Sequence, residues 1–164
     1  MGSVNVNVTN NVPAFNRALL YGIKKETSKS ANWAGNRLIM AGVEKLEKKD
    51  TGFLAKSITY NVKENAAGVH LKFGTNVKYA IFVHEGTKPH WPPKTAIDKW
   101  AKRKFKIRNK KVLDRVSFAI RRKIALFGTE ANPFIADAVN SEFKGIVSRF
   151  NGIPGKVKKK LGVK

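Results

Sequence analysis

The sequence predicts an α+β fold: a long N-terminal helix, an antiparallel three- to four-stranded sheet, and C-terminal helices packed on one face. Three observations carry that prediction. Apolar residues recur at three- and four-residue steps from Phe15 to Ala41, the period of one face of a helix. Between residues 54 and 84 the pattern changes to short apolar runs separated by turn residues, as strands joined by tight connections require. After Pro92-Pro93 the helical period returns.

Taken in order, residues 1–12 alternate Val4, Val6 and Val8 with polar side chains. That period of two suits an extended arm or edge strand, and equally a frayed terminus. Pro13 stands where a first helical turn tolerates it. Phe15, Leu19, Ile23, Ala31, Ala34, Leu38 and Ala41 then mark a helix expected to reach about residue 48, with the polar stretch 24–30 as a candidate kink or division. Thr51-Gly52 breaks it. Strands are expected over 54–63, 69–73 and 79–84, with turns at 65–68 and 74–76, as a meander. Thr95 is placed to cap a short helix bearing Ile97, Trp100 and Ala101. Leu113, Val116, Ile120, Ile124 and Phe127 form a further stripe ended by Gly128. A last helix is expected from Pro133 to about residue 150, with Ile135, Ala138, Val139, Ile146 and Phe150 on its apolar face. Residues 151–155 are a breaker cluster, and the last ten residues hold five Lys and no acid. The organisation expected is an arm (1–12), one α+β domain (13–150) and a basic flexible tail (151–164).

A chain of 164 residues can bury roughly 70% of its unfolded surface, and ten Phe with three Trp supply a core. The absence of Cys excludes a disulfide scaffold and thiolate metal sites and fits folding in a reducing cytoplasm. No apolar run approaches the ~18 residues of a bilayer span, and residues 1–10 lack the basic start and apolar block of a signal peptide. A soluble chain with no membrane partner is expected.

Charge is the strongest compositional signal. Thirty-three Lys and Arg stand against 11 Asp and Glu, a net charge of +22, which speaks to partners rather than fold. Residues 91–130 carry thirteen basic and three acidic side chains, residues 1–50 eight and four. The densest run contains Lys99, Lys102, Arg103, Lys104, Lys106, Arg108, Lys110 and Lys111, interleaved with Trp100, Phe105 and Ile107; a second group is Lys156, Lys158, Lys159 and Lys160. These twelve cations are the candidate contacts to DNA or to an acidic partner, since phosphate neutralisation needs such density. The three apolar residues fit core anchors better than base-stacking platforms. Gly152-Ile153-Pro154-Gly155 has the letters of a KH-domain loop but lacks the following helix that such a loop needs, so it is taken as a linker.

Catalytic chemistry has no sequence support. His70, His84 and His90 match no metal-ligand spacing, and neither Ser57 nor Ser117 has a base and orienting acid nearby in the chain. No enzyme, cofactor or metal site is expected. The loop 86–93 contains three prolines, each fixing its own φ and restricting the residue before it. Glu85, Thr87, Pro89, His90, Trp91, Pro92 and Pro93 are therefore the candidate assembly interface. Trp91 is either a docking anchor or a cap on the domain's own core.

Three words in the chain form an ordered pattern: Thr51-Gly52-Phe53-Leu54-Ala55-Lys56-Ser57-Ile58, then Tyr79-Ala80-Ile81-Phe82-Val83-His84-Glu85-Gly86-Thr87 with its Pro-rich loop, then Asn132-Pro133-Phe134. In this the chain resembles the neck and tail-completion (head–tail joining) proteins of long-tailed bacteriophages, the gene-ten-like family. The likeness spans most of 13–150. It departs at Asn132, where Gln or a similar residue is usual, and in an insertion-like basic segment over 105–114. The resemblance implies a structural virion protein, made in the host cytoplasm, that forms a homo-oligomeric ring at the neck or top of the tail. It implies neck, portal-adaptor or tail-tube proteins as partners, and packaged double-stranded DNA as a source of counter-charge. The other reading of the charge is a free-standing nucleic-acid-binding domain.

Overall fold

The structure is a computed structural model that describes residues 14–46, 52–66 and 68–162. The expected arm at 1–12 lies outside them. The chain is α+β and mostly helical, in the order α1 (Ala14–Lys45), α2 (Phe53–Ser57), β1 (Thr59–Asn65), β2 (Gly68–Gly74), α3 (Ala80–Glu85), α4 (Lys94–Phe105), α5 (Lys110–Phe127), α6 (Phe134–Asn151) and α7 (Ile153–Lys160).

α1 is the hub on which β1, β2, α6 and α7 all pack. Small residues let these neighbours approach. Ala34 is fully buried, and a Cβ added at Gly42 would sit 3.3 Å from both Ile58 and Phe73 and 3.8 Å from Ala138. The stretch 24–30 does not divide the helix, which runs unbroken through it. Thr27 is buried, but its Oγ1 donates to the Ile23 carbonyl at 2.8 Å, so its hydroxyl is satisfied inside the helix. Lys24, Lys25 and Lys29 stay exposed.

The expected sheet is smaller than predicted. β1 and β2 form a two-stranded antiparallel hairpin running in register from Thr59↔Gly74 to Asn65↔Gly68, with Asn65 Oδ1 accepting from Gly68 N at 3.0 Å across the turn. The run from 54 opens as helix α2 rather than strand. Leu54 and Ile58, four residues apart, are both buried, which is the helical spacing. The run 79–84, expected to be the third strand, is helix α3. Ala80 is buried and Val83 and His84 half-buried, while Ile81 and Phe82 are exposed; a strand would have placed alternate residues inward.

Two further corrections concern helix ends. α4 starts at Lys94 with Pro93 at its N-cap and no side-chain cap, so Thr95 lies inside the first turn. The segment taken as a linker and loose tail is helix α7, with Ile153 4% and Val157 1% exposed. An apolar i, i+4 pair among the lysines explains it, since that spacing puts both residues on one face of the helix, and α7 packs on α1 with Val157 against Gly22.

The main buried cluster is Leu46, Leu54, Ile58, Ala80 and Phe134, flanked by Ile39, Phe73, Val77 and Val83. Burial of a Phe such as Phe134 contributes about 1.5–3 kcal/mol. α4 and α5 stand apart from it. They pack chiefly on each other, and Ala101 and Ser117 are their only fully buried residues.

Candidate functional site

The helical hairpin of α4 and α5, together with the loop that leads into it, gathers eight of the twelve cations and the loop residues singled out by the sequence; the other four cations lie on α7. The loop is fixed at its root by two Gly-Thr pairs. Gly86 ends α3 and Gly128 ends α5, each with φ of 72° and an extended ψ, a region that only glycine adopts without strain. Thr87 and Thr129 then pair across a single antiparallel bridge. Close by, Asn132 N donates to the Val83 carbonyl at 2.9 Å, and Asn132 Nδ2 reaches the Lys45 carbonyl at 3.4 Å. The Asn132 side chain thus serves a carbonyl left open at the end of α1.

Beyond the bridge the loop lies on α5. His90 N donates to the Ile124 carbonyl at 3.4 Å and its Nδ1 to the Lys88 carbonyl at 2.9 Å. Pro92 is buried, and its carbonyl accepts from Arg121 Nε at 3.0 Å. The Arg121 guanidinium stacks 4.7 Å from the Trp91 ring centroid, and Phe118 meets Trp91 edge-on at 6.0 Å. Trp91 nevertheless remains 50% exposed. It belongs to a surface cluster, not to the main core. Glu85, Pro89, His90 and Pro93 are exposed and Thr87 is half-buried.

The cations divide between the α4–α5 hairpin and α7. Lys99, Lys102, Arg103 and Lys104 lie on α4, Lys106 and Arg108 in the turn, and Lys110 and Lys111 in the first turn of α5, all exposed. Lys156, Lys158, Lys159 and Lys160 are on α7, where Lys160 pairs with Glu26 at 2.6 Å; that hydrogen bond holds the Glu26 carboxyl below its ordinary pKa. Of the apolar residues within the basic run, Trp100 and Phe105 stack edge-on at 5.7 Å at the end of α4.

Some of the tip's charges stand where helix physics disfavours them. Lys110 and Lys111 face the positive end of the α5 macrodipole, although Asn109 Oδ1 caps the helix by accepting from Lys111 N and Val112 N. Lys106 ends α4 in the left-handed region, φ 52°, the only described non-glycine with positive φ. Glycine is the ordinary residue there. The hairpin's two acids are both tied to one lysine. Lys94 Nζ lies 2.7 Å from both Asp98 and Asp114. The hydrogen bond from Lys94 holds Asp98 below its ordinary pKa, and the bonds to Asp114 and then Asp98 raise Lys94. With both acids in this clamp, the exposed tip is cationic.

The three histidines sit on separate elements with separate partners: His70 beside Asn65 at 3.3 Å, His84 edge-on to Phe134 at 5.5 Å, and His90 in the loop. Sequence reasoning overlooked Arg115, Phe118, Arg121 and Arg122 on α5. The signal was present, because naming Leu113, Val116, Ile120 and Ile124 as the inner stripe defines the outer face on which Arg115, Phe118 and Arg122 stand. In comparisons with family models, curated proteins and solved structures, nothing matches this chain.

Proposed function

We propose that this chain is a structural virion protein of a tailed bacteriophage, forming a ring at the head–tail junction or completing the top of the tail. The observation that supports this reading best is the convergence of the three words on which the resemblance rests. Leu54 and Ile58 come from the first, Ala80 from the second and Phe134 from the third, and these four with Leu46 are the main buried cluster. The Gly86-Thr87 end of the second word is bridged to Gly128-Thr129, just before the third. A pattern scattered over eighty residues of sequence therefore has one physical cause, a shared core that projects the 86–93 loop and the basic hairpin outward.

In this reading the core is the framework, and the loop and hairpin make contacts to other subunits, neck or tail proteins, or packaged DNA. A ring multiplies the charge of each subunit, so a polyanionic neighbour lowers the self-repulsion of assembly. The test is mass spectrometry of purified particles of a phage encoding this chain, with cryo-electron microscopy of their necks. A copy number of a ring per particle supports the proposal; absence from particles overturns it.

The exposed cations of the hairpin tip favour one second reading, a free-standing nucleic-acid-binding domain. That protein would be absent from particles, monomeric or dimeric in solution, and would bind duplex DNA with a steep salt dependence.

A further inference from the structure

We infer that the outward face of α5 is a docking surface for an acidic helical segment of another protein. The inference stands apart from the virion reading, since it concerns what α5 binds and not where the chain resides.

Val112, Ala119 and Leu126 recur every seven residues, with Arg115 and Arg122 between them, and all five are exposed. Steps of three and four along a helix make a seam that a second helix can follow. Phe118, 55% exposed, flanks the seam. No acid lies on it, because Asp114, the one acid of α5, is held by Lys94 at 2.7 Å. The face thus lacks two things that one partner could supply together: apolar cover for Val112, Phe118 and Leu126, and carboxylates for Arg115 and Arg122, which a guanidinium binds in a two-pronged geometry.

The other occupants fit less well. A second copy brings +22 of its own charge, and five of its eleven acids, Glu26, Glu64, Asp98, Asp114 and Glu142, are in ion pairs within the subunit. A DNA backbone pairs with the arginines but offers nothing to the three large apolar residues. A bilayer surface accepts a continuous apolar stripe, whereas here Arg115 and Arg122 interrupt the stripe at every other step.

The experiment uses the full chain and a helical peptide of about three heptads, with Leu at heptad spacing and Glu placed to face the two arginines. Binding is read by titration, and its location by amide hydrogen exchange over α5. The expected result is protection of α5 and an affinity that falls about tenfold or more in the Arg115→Glu/Arg122→Glu chain. A peptide carrying Lys in place of Glu should recover that loss, which a misfolded variant could not reproduce. Ala119→Glu, an exposed change to a good helix former, should weaken the original peptide while leaving the melting temperature unchanged. The inference is overturned if the peptide fails to bind the native chain, if charge reversal does not exchange peptide preference, or if a short DNA duplex or phosphatidylserine vesicles protect α5 where the peptide does not.

Discussion

Thr87 and Thr129 exchange backbone hydrogen bonds at 3.1 Å in both directions, and their hydroxyl oxygens lie 3.0 Å apart. The glycine before each threonine approaches the opposite backbone so closely that a Cβ added at Gly86 would lie 2.9 Å from Ala131 N, and one at Gly128 2.9 Å from the Thr87 carbonyl carbon. Two segments over forty residues apart are thereby held as one joint at the root of the hairpin.

Gly86→Ala and Gly128→Ala should each destabilise the chain by more than the ~1–3 kcal/mol of the strained backbone alone, because the added methyl meets main chain that cannot move aside. Gly145→Ala, in open space within α6, should instead stabilise by roughly 0.5–1 kcal/mol. Denaturant unfolding of the three variants checks both signs.

Trp91→Ala should cost the isolated chain only about 1–2 kcal/mol, the worth of a half-exposed ring stacked on Arg121 and edged by Phe118. On the proposed function, the same change should leave heads unjoined to tails when particles are viewed by microscopy. A loss of ~3 kcal/mol or more in thermal unfolding, as for truncation of a core Trp, would reassign the residue to the domain's own stability.

Lys106→Gly should raise stability by about 1 kcal/mol by relieving the left-handed backbone and at the same time weaken any polyanion contact. Replacing Lys102, Arg103, Lys104 and Lys106 together with Gln should flatten the salt dependence of DNA binding by up to about four in log–log slope. An unchanged slope would assign the tip to an acidic protein or to solubility.

The hairpin should loosen in acid. Asp98 is held below its ordinary pKa by Lys94, so its contribution is present at neutral pH and is lost as pH falls from about 4 through the folded value. Lys94, raised by Asp114 and Asp98, loses its contribution only at high pH, as pH rises through its folded value. Amide protection of α4 should therefore drop below about pH 4 earlier than protection of α1, and Lys94→Met should abolish that difference.

Val157→Ala should cost about 1–3 kcal/mol in thermal or denaturant unfolding, because Val157 is 1% exposed and lies against Gly22 of α1. A neutral result would mean that α7 contributes nothing to the domain.

The amino-acid sequence by itself determined what depends on neighbours along the chain. The spacing of Phe15 to Ala41, of Leu113 to Phe127 and of Ile135 to Phe150 places α1, α5 and α6 without reference to anything distant, because a helix face is a local period. Net charge, its concentration over 91–130 and the absence of cysteine are likewise complete in the sequence. Whatever depends on a remote partner was decided only by the tertiary structure. The run 79–84 is apolar enough for strand or helix; burial of Ala80 beside Phe134, with the Val83 carbonyl bonded to Asn132, selects the helix. Ile153 and Val157 look like interruptions in a basic tail until α1 offers them a surface. Trp91 was open between anchor and core because its exposure rests on Arg121 and Phe118, thirty and twenty-seven residues further on. Local propensities are a few tenths of a kcal/mol per residue, whereas burying one large apolar side chain is worth about 2 kcal/mol, so packing wins wherever the two disagree.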